Sequence, residues 1–330
     1  MKNHIIAHAV LLACCTHASA QSGLTLYGTM DGGMRHQSNA NAAGDSVTRV
    51  DGGISFANRW GLRGSEDLGG GMRANVLLEG EFAGDTGALP ADGRLFGRTA
   101  SVGISGPWGA LDAGRLYTVA FRTVCVYDPL RSHFPGVIPT LNLATAGTRN
   151  DNAVQYTGVL DGLTVRAEYA AGELPGASVN GSERAAGAAY VAGPFSAAGA
   201  YTRRVNASGQ ASRYGTAGGA WEAGHWRVGF GYETNTAEGA AFDTKNRSVF
   251  GGVAYMLSPL WMANLVYYDY RRSGAPTVAG SRKVLMGALT YLLSRRTELY
   301  GEIDLNRLSG KLVTARESAT GVAAGVAHKF

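Results

Sequence analysis

The sequence predicts a closed antiparallel β-barrel of about sixteen strands that crosses a membrane. Three observations support this prediction. The chain begins with an export signal, no later apolar run approaches the ~20 residues that a membrane-spanning helix needs, and apolar and polar side chains alternate with period two. Its 48 glycines fit many strands and tight turns, and the evenly spread charge (Lys+Arg 30, Asp+Glu 25) excludes a nucleic-acid binder.

Residues 1–20 are predicted to be a cleavable signal peptide. Lys2 supplies the positive start, Ile5 to Ala13 form the apolar stretch, and Ala18-Ser19-Ala20 form a small-residue cleavage site. The mature chain, residues 21–330, is then expected to form one barrel domain. Because an exported chain without a membrane helix is either soluble or a barrel, the strand pattern decides between these classes.

A second cleavage site is also open at the amino terminus. Leu11-Leu12-Ala13-Cys14 resembles a lipoprotein box, and cleavage there would leave a lipidated Cys14. Under the first cleavage Cys14 and Cys15 are removed, so Cys125 remains and no internal disulfide can form.

Alternation is clearest at Leu163–Tyr169 and Trp226–Glu233, where every second residue is apolar. An even number of strands lets the first and last meet antiparallel, which leaves no unpaired backbone facing lipid. The alternating segments are 24–36, 51–64, 71–83, 94–105, 108–116, 149–157, 162–171, 183–192, 194–204, 212–222, 224–234, 246–257, 260–271, 282–292, 295–305 and 319–330.

The ends of these segments favour a membrane barrel over a soluble sandwich. Short turns such as Gly193-Pro194 and Ser258-Pro259 alternate with longer polar stretches such as Asn39–Val50 and Glu173–Ser182. Aromatic residues cluster near the segment ends, where interfacial girdles would lie. They are Tyr27, Trp108, Tyr117, Tyr156, Tyr169, Tyr255, Trp261, Tyr267, Tyr268, Tyr270, Tyr291 and Tyr300.

One long segment, 118–147, lacks sustained alternation and carries Pro129, Pro135 and Pro139. A connection of this length in a compact fold is usually functional. Since sixteen strands enclose a lumen too wide for side chains to fill, we expect this segment to fold inward as a constriction loop.

Several stretches resemble the general diffusion porins of Gram-negative bacteria, especially their β-proteobacterial branch. The resemblance covers essentially the whole mature chain and is strongest before residue 160. Its motifs are Leu24-Thr25-Leu26-Tyr27-Gly28, Asn58-Arg59-Trp60-Gly61-Leu62-Arg63-Gly64-Ser65-Glu66-Asp67-Leu68-Gly69-Gly70-Gly71, Gly97-Arg98-Thr99-Ala100-Ser101-Val102-Gly103, Ser105-Gly106-Pro107-Trp108-Gly109, Gly114-Arg115-Leu116-Tyr117 and Ala327-His328-Lys329-Phe330.

The resemblance implies an outer-membrane channel for passive diffusion of small hydrophilic solutes and ions. It also implies a homotrimer surrounded by outer-membrane lipid and lipopolysaccharide, with no cofactor, no metal and no nucleic-acid partner. Each pore would be narrowed by the third loop opposite a wall of arginines. By motif position these would be Arg59, Arg98 and Arg149, with Arg73, Arg115 and Arg166 as additions.

Alternation independently places Arg59, Arg63, Arg73 and Arg166 on the polar, inward face. It leaves Arg98 and Arg115 open, because both share the parity of apolar neighbours.

The constriction loop departs from the cation-preferring members of the family, which carry paired carboxylates there. Here the loop offers Asp128 and then the basic Arg131. An arginine-lined constriction favours anions, so we expect a weak anion preference that fades with ionic strength. Glu79 and Glu81 would dilute it by pairing with arginines, and Asp128 has the alternative role of capping a turn before Pro129.

Two other function classes stay open: a non-porin barrel acting as a hydrolase or an adhesin, and a soluble secreted sandwich. A hydrolase needs a nucleophile and a base in recognisable positions. The mature chain has only four histidines, none in a zinc-binding spacing, and no G-x-S-x-G motif. Gly69–Ala74 fits a dinucleotide-binding pattern, but a strand-like segment follows it, so we expect a hairpin turn. The sequence therefore predicts no enzyme.

Overall fold

The computed structural model describes residues 23–137 and 146–330. The predicted signal peptide with Cys14, and residues 138–145 of the predicted constriction loop, lie outside the described residues. No helix within the described ranges is both long and apolar enough to cross a membrane.

The described chain is almost entirely antiparallel strand. Two helices interrupt it: α1 (Pro90–Gly93) and α2 (Val119–Tyr127). The strands are β1 (Gly23–Gln37), β2 (Val47–Gly52), β3 (Arg59–Gly69), β4 (Met72–Glu81), β5 (Thr99–Gly106), β6 (Gly109–Tyr117), β7 (Arg149–Leu160), β8 (Leu163–Ala170), β9 (Glu183–Ala192), β10 (Phe195–Val205), β11 (Ala211–Ala223), β12 (Trp226–Ala237), β13 (Thr244–Ser258), β14 (Trp261–Ser273), β15 (Gly280–Leu292), β16 (Thr297–Gly310) and β17 (Ser318–Lys329).

These strands fill sixteen positions around a closed barrel, as predicted. β2 and β3 share one position, because β2 pairs with Gly32–Gln37 of β1 and β3 pairs with Gly23–Thr29 of the same strand. Every other strand pairs antiparallel with its sequence neighbours, and β17 returns to β1 in the register Thr29↔Lys329. Backbone hydrogen bonds of 3.1 Å in both directions between Gly28 and Phe330 complete the closure.

The outward face is an apolar band bordered by aromatic pairs. Exposed side chains such as Leu26, Val102 and Phe230 point away from the barrel. At the short-turn end, outward aromatic pairs stack or tilt against each other across neighbouring strands, as interfacial girdles do. These pairs are Trp108–Tyr156, Trp226–Tyr255 and Trp261–Tyr291.

Some aromatic residues expected in the girdles instead face the lumen. Tyr268, Tyr270 and Tyr300 are between 1% and 4% exposed and lie under inward side chains or the constriction loop. On β14, Tyr267 and Tyr268 are adjacent and Tyr270 lies two residues further on, so these rings lie on both faces of the strand. A cluster of tyrosines in the sequence therefore indicates the strand end but not the face on which each ring lies.

Turns are short at one end of the barrel and long at the other, as predicted. The β3–β4 turn uses Gly69, Gly70 and Gly71 at φ +78°, +62° and +78°, a left-handed run that residues with side chains adopt at a cost. This turn is the segment that matched the dinucleotide pattern, and it leads into a strand instead of a helix. In outer-membrane barrels the end with long loops is extracellular.

Candidate functional site

The β6–β7 connection enters the barrel through a short, well-capped helix. Thr118 Oγ1 accepts a hydrogen bond of 3.1 Å from the Phe121 backbone N–H, which caps the start of α2. Asp128 ends the helix, since its own N–H returns to the Val124 carbonyl at 2.9 Å. The chain thus turns inward immediately after β6.

Glycines on the inward face of the wall make room for α2. A Cβ on Gly218 of β11 would lie 2.5 Å from the Tyr127 ring, and one on Gly187 of β9 would lie 2.8 Å from Val119. Tyr127 is fully buried against this wall, and its hydroxyl hydrogen-bonds Thr216. The helix therefore sits directly on the backbone of the strands across the lumen.

The loop is anchored a second time, at Phe134, to a break in the wall. Between β2 and β3, residues 53–58 leave the sheet and bend inward. The Phe134 N–H donates to the Ser55 carbonyl at 2.9 Å, and the Phe134 ring meets Tyr300 edge-on at 6.0 Å. The part of the loop before residue 138 is thus held by the inner wall both at α2 and at Phe134.

A single carboxylate shapes that break. Asp31, fully buried in β1, accepts backbone N–H bonds of 3.0 Å from Ile54, Ser55 and Phe56 and a hydroxyl bond of 2.9 Å from Tyr300. Four donors converging on one carboxylate fix residues 53–58 in their inward position.

Asp128 takes the turn-capping role that the sequence analysis left as its alternative. Its carboxylate accepts N–H bonds from Ser132 at 2.6 Å and Leu130 at 3.2 Å and a hydroxyl bond from Tyr268 at 3.2 Å. The residue is 4% exposed, and burial raises the pKa of its carboxyl. Asp128 therefore holds the loop in shape, and its carboxylate is occupied by loop and wall donors although the residue also contributes to the lining of the cavity.

The loop and the wall enclose a cavity of about 790 Å³. Among the residues that the structure describes, six arginines and three acidic residues line it, so this lining has an excess of positive charge. They are Arg59, Arg98, Arg122, Arg131, Arg149 and Arg166 against Glu79, Glu81 and Asp128.

Two wall arginines are paired with carboxylates. Arg98 contacts Glu79 at 2.6 Å and Glu81 at 2.7 Å, and Arg59 approaches Glu79 at 3.8 Å. Arg98 precedes β5, so the alternation of that strand does not decide its direction. Glu79 and Glu81 therefore offset the positive charge of Arg98 and Arg59.

Three other arginines retain unpaired charge. In the described ranges no carboxylate lies within 4.0 Å of Arg122, Arg149 or Arg166, and each has a buried Nε without a hydrogen-bond partner. Arg149 stacks over Tyr117 with Cζ 4.5 Å from the ring centroid, and its Nη2 donates to the hydroxyl of this tyrosine at 2.9 Å. Positive charge is therefore concentrated where β7, β8 and α2 meet.

The remaining predicted residues lie away from this concentration. Arg63 and Arg73 share the inward face but are not among the cavity's lining residues. Arg131 lines the cavity and forms an ion pair with Glu222.

Arg115 is a correction. It pairs with Ala100 on the outward face and contacts Asp151 at 2.6 Å, outside the cavity. The register shift between Gly114 and Leu116 places the extra residue on β7. The alternation of β6 therefore continues through Arg115.

Sequence reasoning missed Arg122 and Tyr117. Arg122 lies on α2 with Cζ 5.9 Å from the Tyr117 ring, and the Tyr117 hydroxyl accepts bonds from Arg98 at 2.6 Å and Arg149 at 2.9 Å. The missed signal was a nine-residue helix in a segment analysed only for strand alternation. Tyr117 was assigned to a girdle, whereas it organises the arginine wall.

Two titratable groups of the loop are held neutral. Burial, with the nearby positive charges of Lys329, Arg131 and Arg59, lowers the pKa of His133 to about 4. Burial also raises the pKa of Cys125 to about 11, although its thiol contacts Ser132 Oγ at 3.1 Å. Neither group adds charge to the cavity near neutral pH. No group of three or more metal-ligating side chains occurs in the parts of the chain that the structure covers.

Comparison with known proteins gives one consistent result. A family model described as Gram-negative porin matches residues 7–311. Two outer membrane porins align over the full length of both chains, one from Bordetella pertussis at 29% identity and one from Delftia acidovorans at 30%. The solved anion-selective porin from Comamonas acidovorans superposes with a TM-score of 0.81 at 27% identity, covering 94% of this chain and 100% of that one.

Proposed function

The chain belongs to the Gram-negative porin family, and from this premise we propose that its channel passes small anions in preference to cations. The protein is an outer-membrane channel for passive diffusion, and its family is not enzymatic. The observation that carries the proposal is the unpaired charge of Arg122, Arg149 and Arg166 at the constriction. A narrow passage lined by positive charge raises the local anion concentration and lowers that of cations.

Several features support this sign of selectivity. Glu79 and Glu81 are occupied by Arg98 and Arg59, and the Asp128 carboxylate is turned into the loop backbone. The solved relative at 27% identity is itself described as anion-selective. Arginine stays charged at any relevant pH, so the preference should depend on ionic strength and little on pH.

The test is the zero-current potential of the purified protein in planar bilayers under a KCl gradient. Arg149→Gln and Arg122→Gln should each lower the anion-to-cation permeability ratio severalfold, because each removes a charge that no carboxylate offsets. Arg115→Gln is the matched control, since it removes the same charge outside the cavity and should leave the ratio unchanged. A cation-favouring potential in the unmodified protein would contradict the proposal.

We further propose that the barrel assembles as a homotrimer in contact with outer-membrane lipid and lipopolysaccharide. The outward faces of β1, β4 and β5 support a protein contact, because they carry no Lys or Arg and include Gly32, where a Cβ would meet nothing within 4 Å. A native mass of three chains in detergent would support the assembly, and a single-chain mass would contradict it.

A further inference from the structure

A second cavity lies between the constriction loop and the inner wall, at the short-turn end of the barrel. It has a volume of about 280 Å³, and Pro129, Leu130, Arg131 and His133 of the loop line one side. The other side is formed near the short-turn ends of β11 to β14. In outer-membrane barrels the short turns face the periplasm, so we call this space the periplasmic cavity.

The wall side of the periplasmic cavity is largely apolar. Ala254 and Met256 of β13 and Met262 of β14 lie on the inward face, and Met256 and Met262 are paired directly across the two strands. Leu130 lines the loop side and is 5% exposed. The interior of such barrels is otherwise polar, and methionine side chains adapt readily to apolar groups of varied shape. This surface therefore suits an alkyl chain.

The polar part of the lining carries an excess of positive charge. Arg131 and Arg227 both contact Glu222, the second at 3.0 Å. Two guanidinium groups thus share one carboxylate, and His133 is held neutral as described above. The lining therefore favours a ligand with one negative charge.

Two polar side chains of this lining have unused hydrogen-bonding capacity. Asn264 hydrogen-bonds through its side chain to none of the described residues, although only 8% of the residue is exposed. Arg227 Nε is buried and also lacks a partner in the described ranges, whereas its Nη1 donates to Glu222 and its Nη2 to the Val126 carbonyl. An acceptor bound between these groups would recover the free energy that unpaired buried donors cost.

The strand register brings these two donors to the same level of the wall. Arg227 of β12 pairs with Ala254 of β13, and Ala254 pairs with Asn264 of β14. Neighbouring strands are about 4.8 Å apart, so the backbones of Arg227 and Asn264 are about 10 Å apart with a single methyl group between them. A carboxylate fits over Ala254 and reaches a donor on either side.

The loop holds Arg131 in place before a ligand arrives. The Asp128 carboxylate accepts N–H bonds from Leu130 and Ser132, the residues on either side of Arg131. Arg131 itself adopts φ +51°, a conformation that costs free energy for a residue with a side chain and persists where its surroundings impose it. Less ordering is then needed when an anion binds.

We propose that the periplasmic cavity binds an unbranched monocarboxylate of about six to seven carbons. The carboxylate lies over Ala254 between Arg227 and Asn264, and the alkyl chain lies along Met256 and Met262. A volume of 280 Å³ holds about nine groups of the ~30 Å³ that a water molecule occupies, close to the heavy-atom count of such an acid. The inference goes beyond ion preference, because Arg227, Ala254 and Asn264 do not line the constriction cavity.

The experiment is isothermal titration calorimetry of straight-chain carboxylates, from acetate to decanoate, against the purified protein in nonionic detergent. Affinity should rise about 4-fold with each added CH₂ and stop rising near heptanoate, where the cavity is full. Partition into detergent would instead continue to rise through decanoate. The neutral 1-hexanol should bind at least about 10-fold more weakly than hexanoate, because it lacks the charge that the donors recognise.

Two variants test the site, each with a matched control. Ala254→Leu fills the gap between Arg227 and Asn264 and should weaken hexanoate binding at least about 10-fold, whereas Ala263→Leu makes the same change on the outward face of β14 and should not. Arg131→Gln should weaken binding about 10-fold, and Arg295→Gln, at an exposed arginine of the β15–β16 turn, should leave it unchanged. Arg131 is exposed, so its variant tests the site even if Ala254→Leu does not fold.

Affinity that rises without a length limit, equal binding of 1-hexanol, or wild-type affinity in both site variants would each overturn the proposal. The zero-current potential separates this site from the selectivity proposal. Ala254→Leu changes no charge and no residue of the constriction cavity, so it should keep the wild-type permeability ratio. A cation-preferring channel that still binds hexanoate with this length limit would support the site and reject only the selectivity proposal.

Discussion

The seat of the constriction loop on Gly218 gives a quantitative prediction. An added methyl in Gly218→Ala would lie 2.5 Å from the Tyr127 ring, about 1 Å closer than an ordinary carbon contact, and 2.5 Å from the Phe230 carbonyl oxygen of the neighbouring strand. Undocking of the loop relieves the contact with Tyr127 but leaves the contact with Phe230. If the contact with the fully buried Tyr127 ring contributes about 1–3 kcal/mol of overpacking, the undocked fraction of the loop should rise about 5- to 150-fold.

Cys125 provides the assay, since it lies on α2, lines the cavity and is the free cysteine of the described chain. Its side chain is only partly exposed and its pKa is raised to about 11, so a thiol reagent should react slowly while the loop is docked. If labelling follows undocking, the Gly218→Ala rate should rise by the same 5- to 150-fold. Single-channel currents should become noisier as the loop moves.

The control is Gly215→Ala on the same strand but on the outward face, where the new methyl meets only Thr234 Cγ2 at 3.6 Å. That variant should label at the wild-type rate. Wild-type labelling and quiet currents in Gly218→Ala would refute the idea that contact between Tyr127 and the glycine seat holds the loop.

Two further predictions concern His133 of the same loop and the break in the wall, at residues 53–58, to which the loop is anchored. His133 has a lowered pKa of about 4 when docked and an ordinary value near 6.5 when exposed, so the undocked loop binds more protons between these values. Docking should therefore be fully stable above pH 6.5 and weaken as the pH falls towards 4. Closures in bilayers should become more frequent at pH 4.5 than at pH 7, and His133→Gln should remove this dependence; an unchanged dependence in the variant would exclude His133. Asp31→Asn puts an amide donor against backbone donors, which should destabilise residues 53–58 by on the order of 3 kcal/mol and lower the temperature at which the folded band is lost on a gel. Asp51→Asn at an exposed pair is the control and should shift that temperature little, while an unshifted Asp31→Asn would show that the carboxylate does not hold the break.

The strand count was predictable because each strand alternates over most of its length. The break between β2 and β3 was not, since Ile54 and Phe56 alternate with Ser55 and Ala57 as a strand would. Their inward turn depends on Asp31, which is 23 residues from Ile54 in sequence. Local patterning carries no information about such a distant carboxylate.

The same limit on local patterning explains which wall arginines could be placed from the sequence. Arg59 begins β3 and Arg166 lies inside β8, so the alternation of these strands gave their direction. Arg98 stands just before β5, so alternation did not give its direction. Alternation grouped Arg115 with the apolar residues of β6, which face outward, whereas its motif position suggested the lumen. Arg122 could be identified only by analysing the segment after β6 as a helix, because it faces the cavity from α2.

Closure of the barrel depends on a pairing between the two most distant strands of the sheet. β1 pairs on one side with β2 and β3, its neighbours in sequence, and on the other side with β17. Until β17 is in place, β1 and β16 each expose a row of unpaired backbone groups that can pair with another chain. A sheet that lacks this one strand therefore has two aggregation-prone edges, whereas the complete barrel has none.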